Sequence, residues 1–190
     1  MRIVVGISGS SSSIYGIRTL EALVAAGVET HLVISEGART TIPLETSWTG
    51  EAVRRLAHTS YDERDMAAAI SSGSFRTGGM VVVPCSMRTL AAVAHSLSGD
   101  LLTRAADVAL KEGRRLVLVP RETPLHVGHL RNMVLAAEAG AVILPPMPAF
   151  YHAPKTVDDL INHTVGKILD QFGVEHTLFR RWSGTPRNLP

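Results

Sequence analysis

The chain has 190 residues, 45% of them apolar and 19% charged, with a formal net charge of +2. One ordinary domain with ample core-forming side chains fits these values, and intrinsic disorder does not. Nineteen Lys and Arg against seventeen Asp and Glu, with only 5% aromatics, leave nucleic-acid binding without compositional support.

Short β-branched runs alternate with helical patterns along the chain. Strands are predicted at Ile3–Ile7, Thr30–Ile34, Met80–Val83, Leu116–Val119 and Ala141–Leu144. These runs are continuously apolar rather than alternating, as in a parallel sheet covered on both faces. Helices are predicted near Ile14–Ala26, Gly50–His58, Tyr61–Ile70, Met87–His95, Leu101–Glu112 and Leu125–Gly140. Thr156 caps a further helix, with Asp158 and Asp159 in its positively polarised first turn. Its apolar stripe runs through Val157, Leu160, Ile161, Val165, Ile168, Leu169 and Phe172. The alternation predicts a single α/β domain, an open doubly wound parallel sheet that binds ligands at the carboxyl ends of its strands. Residues after Phe172 read as a C-terminal tail packing on a neighbouring surface.

The longest stretch without Asp, Glu, Lys or Arg, Ala139 to Pro154, is broken by Pro145, Pro146 and Pro148, so no membrane-spanning helix is expected. Cys85 is the sole cysteine and builds no disulfide framework. Met1–Gly6 enters directly into a strand pattern, so a cytoplasmic protein is expected.

Two strand-to-helix turns carry the first chemical signal. Gly9, Ser10, Ser11, Ser12 and Ser13 follow the first strand, and Ser86, Met87, Arg88 and Thr89 follow the third. Small residues and hydroxyls at a helix N-terminus let a phosphate approach unpaired N–H groups, and Arg88 adds charge. The bland reading is a pair of serine caps. Serines break the GxGxxG pattern, which argues against NAD although Glu36 could imitate a ribose-binding acid, and no Gly-Lys-Ser/Thr follows. Arg104 and Lys111 lie seven apart on one helix face, and Arg121-Glu122 stands between Pro120 and Pro124 just after a strand. Each also reads as solvated surface or a loop ion pair. Tyr151 sits on the proline-stiffened loop Pro145–His152, and Lys167 at the edge of the last helix's apolar stripe, where lysines usually snorkel. His126 and His129 are one turn apart without a third ligand, so no metal site is expected.

In this order, PCSMRTLA, RAADVALKEGRRLVLVPRE and PPMPAFYHAP resemble the flavin prenyltransferase (UbiX) family, from Ile3 to about Trp182. The resemblance implies a Rossmann-like (flavodoxin-like) flavoprotein, usually a dodecamer with active sites at subunit boundaries. It implies transfer of the dimethylallyl group of dimethylallyl phosphate to N5 and C6 of reduced FMN, giving prenylated FMN for a UbiD-type decarboxylase. FMN contacts then fall on Gly9, Ser10, Ser11, Ser35, Ser86, Met87, Arg88, Thr89 and Arg121. Prenyl-phosphate contacts fall on Tyr151 and Lys167, with positive charge from Arg104 and Lys111. Ser11, Glu45 and Glu122 match positions used in proton handling near the flavin. The residue types suit the chemistry, since cations and a phenol stabilise charge developing on a departing monophosphate without magnesium.

Ser12 stands where the family usually has glycine, and the departures at Glu36 and Arg131 read as peripheral. Two other classes compete. An FMN-dependent cysteine decarboxylase shares the general fold but carries a PxMNxxMW-like segment where this chain reads PPMPAFYH. A non-catalytic flavin-binding decarboxylase subunit would not need Glu45, Glu122, Tyr151 and Lys167.

Overall fold

Every position of β1 (Arg2–Ile7) except its exposed first residue is buried, as are the last five of β2 (Glu29–Ile34) and all of β4 (Gly79–Cys85). With the short β3 (Thr59–Tyr61), β5 (Arg115–Pro120) and β6 (Ala141–Ile143) they form one sheet in the order β3-β2-β1-β4-β5-β6. All neighbours run parallel. The computed structural model describes residues 1–184, so the end of the expected tail lies outside the described residues.

Strand alternation sorts the side chains into two cores. Ile3, Val5, Ile7, Leu32 and Ile34 face α1 (Ser13–Ala25), α2 (Glu36–Glu45), α3 (Gly50–Leu56) and α7 (Val157–Asp170). Val4, Val33, Met80 and Val82 face α4 (Met87–Ala94), α5 (Leu101–Lys111) and α6 (Val127–Glu138). Each fully buried Leu or Ile in these layers contributes about 1.5–3 kcal/mol. The strand order is that of the Rossmann sheet and reverses between β1 and β4, which opens a crevice at their carboxyl ends.

Two expectations fail between β2 and β4. Tyr61–Ile70 is not a helix. Tyr61 pairs with Val33 as the end of β3, and the following acids bond their own backbone. Asp62 accepts from the Arg64 N–H at 2.9 Å and Asp65 from the Ala67 N–H at 3.1 Å, turns that compete with helix. Only Ala69–Ser71 makes a 3-10 turn. Conversely α2 forms where no helix is expected, with Pro43 inside it. Its signals are local: Ser35 accepts from the Ala38 N–H at 3.1 Å, and Ala38 and Ile42 lie buried one turn apart.

Candidate active site

Three strand ends meet at the crevice. Gly9 follows β1, Ser35 follows β2 and Ser86 follows β4, and together with Gly37, Arg88 and Thr89 they line a cleft of about 410 Å³. Gly9 is required by the close approach of two backbones, because a Cβ there would lie 2.7 Å from the Cα of Gly37. The buried Ser8 hydroxyl ties β1 to β4, donating to the Pro84 carbonyl at 2.9 Å and accepting from the Ser86 N–H at 2.7 Å. Ser10 donates its hydroxyl to the Arg121 carbonyl at 2.8 Å, which joins the β5 end to the same turn.

The two candidate phosphate cradles differ. At α1, the Glu45 carboxylate at the end of α2 accepts from the N–H groups of Ser12 at 2.6 Å and Ser13 at 3.1 Å. An internal carboxylate thus occupies the first cradle. Burial opposes ionisation of Glu45, but the Ser11 hydroxyl, the two N–H donors and the Arg121 charge together hold its carboxyl below the ordinary glutamate value. Ser12, which immediately precedes α1, has φ 79°, a left-handed conformation that favours glycine.

The second cradle is open to an anion. Ser86 caps α4 by accepting from the Thr89 N–H at 3.2 Å, and its hydroxyl lies 3.0 Å from that of Thr89. The exposed Arg88 guanidinium has no hydrogen-bond or ion-pair partner among the described residues, and it borders the cleft with Ser35 and Thr89. Helix dipole, hydroxyls and a free guanidinium are the donor set that a phosphate requires.

A second opening of about 380 Å³, lined mainly by apolar side chains, lies beyond β5 between Arg121, Glu122, Leu130, Met133 and Pro146. Glu122 accepts from the Thr123 N–H at 3.0 Å, and its carboxylate makes no ion pair with Arg121 among the described residues.

The model of the Flavoprotein family matches residues 1–169. A flavin prenyltransferase UbiX of Thauera aromatica is 59% identical over 184 residues, spanning 97% of this chain and 95% of its own. This chain belongs to the UbiX family of flavin prenyltransferases.

The UbiX flavin prenyltransferase of Escherichia coli K12 is 57% identical over 186 residues, 96% of this chain and 98% of its own. Among solved structures, a dodecameric FMN-dependent UbiX-like decarboxylase from E. coli O157:H7 superposes with a TM-score of 0.94 at 52% identity, covering 97% of this chain and all of that one. A UbiX protein solved with FMN and dimethylallyl pyrophosphate gives 0.96, also at 52% identity, covering 97% and 98%. An FMN-dependent cysteine decarboxylase of thioviridamide biosynthesis, at 18% identity and a TM-score of 0.67, shares the fold alone.

Within one UbiX-family subunit, Gly9, Ser35, Ser86, Arg88 and Thr89 of the expected flavin residues line the cleft, and Ser10 is bonded to Arg121. Ser11 and Met87 are not in its lining, and the four expected prenyl-phosphate donors do not come together. None of the four lines the cleft. Arg104 and Lys111 lie on α5, on one side of the sheet. There Arg104 donates to the Ser71 carbonyl at 3.1 Å and pairs with Asp107 at 3.0 Å, while Lys111 pairs with Glu112. Tyr151 and Lys167 lie on the other side, the phenol 3.1 Å from Nε2 of His163 and Lys167 3.6 Å from Asp170. Lys111 ends the helix leading into β5. Lys167 precedes Phe172, whose ring packs near Gly79 at the start of β4. Both lysines therefore lie toward the amino edge of the sheet, away from the cleft.

Sequence reasoning missed Glu63 and Arg64 in the cleft wall, having placed them in a helix. The buried Glu63 accepts from the Glu36 N–H at 2.8 Å and so closes the N-terminus of α2. Glu36, read as peripheral, also lines the cleft, 3.6 Å from Arg64. The described part of the tail packs on α7 of its own chain, with Arg181 forked onto Asp170 at 2.6 and 3.1 Å.

Proposed function

We propose that this protein transfers the dimethylallyl group of dimethylallyl monophosphate to N5 and C6 of reduced FMN. The observation that carries the reading is the cleft at the β1/β4 reversal, with an open helix N-terminus, Ser35, Ser86, Thr89 and a free Arg88, in a chain 59% identical to a flavin prenyltransferase. The donor set suits one phosphate monoester beside a planar ring, so the cleft fits FMN. When bound, reduced FMN supplies the nucleophilic N5 and C6.

The chain's own groups then have separate tasks. Ser35, Ser86, Thr89, Arg88 and the backbone N–H of Met87 at the start of α4 would hold the ribityl phosphate. Gly9, Ser10 and Ser11 bring the β1 turn close to the flavin, and Arg121 borders it from β5. Glu45, kept ionised, holds the Gly9–Ser13 turn rigid and is placed with Ser11 to accept or relay a proton. Glu122, free on one oxygen, is a second acceptor.

The charge of the departing phosphate falls to Tyr151, Lys167, Arg104 and Lys111. The sheet separates them within a subunit, so neighbouring subunits supply them to one site. The solved dodecamer of a relative supports this reading. Exposed Leu130, Val134, Met147 and Phe150, between 48% and 70% accessible, also suit burial in an assembly. We assign the product, prenylated FMN, to a UbiD-type decarboxylase, and place both steps in the cytoplasm.

The test is incubation with reduced FMN and dimethylallyl phosphate, followed by mass analysis of the extracted flavin. Gain of one dimethylallyl unit is expected. Unmodified flavin from a protein that binds FMN would overturn the reading. Mixed oligomers of Lys111→Ala and Lys167→Ala subunits should recover part of the activity that each variant lacks.

A further inference from the structure

Behind Tyr151 lies an aromatic cluster that the flavin residues do not touch. The buried His163, on α7 one turn before Lys167, has its ring 5.1 Å from that of His152 and nearly parallel to it, at 9°. Phe179 packs 4.7 Å from the same imidazole. Tyr151 lies edge-on to both histidines, and Trp182 lies 6.1 Å from its ring on the exposed side. Both ring nitrogens of His152 are shielded without a hydrogen-bond partner, so His152 serves the cluster by stacking. The polar link is the contact of 3.1 Å between the Tyr151 hydroxyl and His163 Nε2.

That contact has two possible directions. If the phenol donates to Nε2, its oxygen shows only lone pairs to a ligand and repels an anion. If Nε2–H donates to the phenol oxygen, the hydroxyl proton is left to face outward. We propose that His163 is a positioning residue for Tyr151, donating its Nε2–H to the phenol so that the hydroxyl proton is presented to a phosphate held beside Lys167. Burial, His152 and Lys167 all push the His163 pKa down, and Asp170 opposes them. The imidazole is therefore neutral at neutral pH, and adding a charge is not its role. It sets the tautomer and orientation of the pair, with Phe179 and His152 locking its ring. This proposal rests on the assignment of Tyr151 to the prenyl phosphate.

The test is steady-state kinetics on assembled enzyme at saturating FMN. His163→Phe should raise KM for dimethylallyl phosphate about three- to tenfold, as for one lost hydrogen bond, with FMN affinity unchanged. His163→Gln, whose amide N–H can reach the phenol, should recover most of the loss. In a Tyr151→Phe background, His163→Phe should add nothing, because the hydroxyl through which it acts is gone. His163→Met, closer in volume, carries the same reading if phenylalanine lowers the melting temperature. Wild-type KM in a folded His163→Phe or His163→Met enzyme, or an additive double variant, overturns the proposal while leaving Tyr151 in place. A Tyr151→Phe enzyme with wild-type KM overturns the phosphate assignment itself.

Discussion

Replacing Glu45 by glutamine removes a negative charge from the amino end of α1 and leaves the rest of the turn intact. The carboxylate accepts from two N–H groups, at 2.6 and 3.1 Å, that have no intrahelical partners. Charge-assisted bonds contribute about 1.5–3 kcal/mol when well shielded, and much less where solvent screens them. Glu45 is exposed, and glutamine keeps one neutral acceptor, so a loss of about 1 kcal/mol is expected, against about 1–2 kcal/mol for Glu45→Ala. For a chain of this size, 1 kcal/mol corresponds to roughly 2–4 °C in Tm.

The effect carries a pH signature. The Glu45 pKa is lower in the fold than the ordinary value of 4.5, so the ionised form favours folding. That stabilisation is complete above the unfolded value and is lost as pH falls through the folded one. Thermal melts of wild type and Glu45→Gln should therefore differ at pH 7 and converge below pH 4.5. FMN should remain bound, and single-turnover formation of prenylated flavin should slow. Equal Tm values at pH 7, or a gap that persists undiminished in acid, would refute the capping role.

Arg88→Ala should weaken FMN about ten- to hundredfold while sparing riboflavin, measured by fluorescence titration, because only FMN carries the phosphate. Ser12→Gly should be neutral or slightly stabilising in thermal melts, and Ser12→Val should lower stability by about 1–2 kcal/mol, since a left-handed backbone disfavours β-branched residues. Gly9→Ala should reduce both stability and FMN affinity, as its methyl would enter the Gly37 backbone. Asp170→Asn should lower Tm, because Asp170 is held below its ordinary pKa chiefly by its bond to Arg181 and also by His176, and this difference too should fade in acid.

Much of the fold was legible in the sequence because the signals are local. Continuous apolar runs marked every strand but the three-residue β3, and Ser86 and Thr156 announced helix starts that the structure caps as expected. The two turns that line the cleft were legible too, since a serine-rich or Arg-bearing strand-to-helix junction is contiguous in the chain. Residues 62–65 misled the reading because their side chains bond backbone two positions on, which composition does not separate from helix. Only the tertiary structure shows which cradle an internal carboxylate already fills. Glu45 reaches α1 from 33 residues away, and nothing in the Gly9–Ser13 turn foretells that its N–H groups are already paired. The separation of Arg104 and Lys111 from Tyr151 and Lys167 is likewise a property of the sheet between them. Periodicity assigns a residue to a face of its own helix, whereas the side of the sheet on which that helix packs depends on contacts between segments distant in sequence.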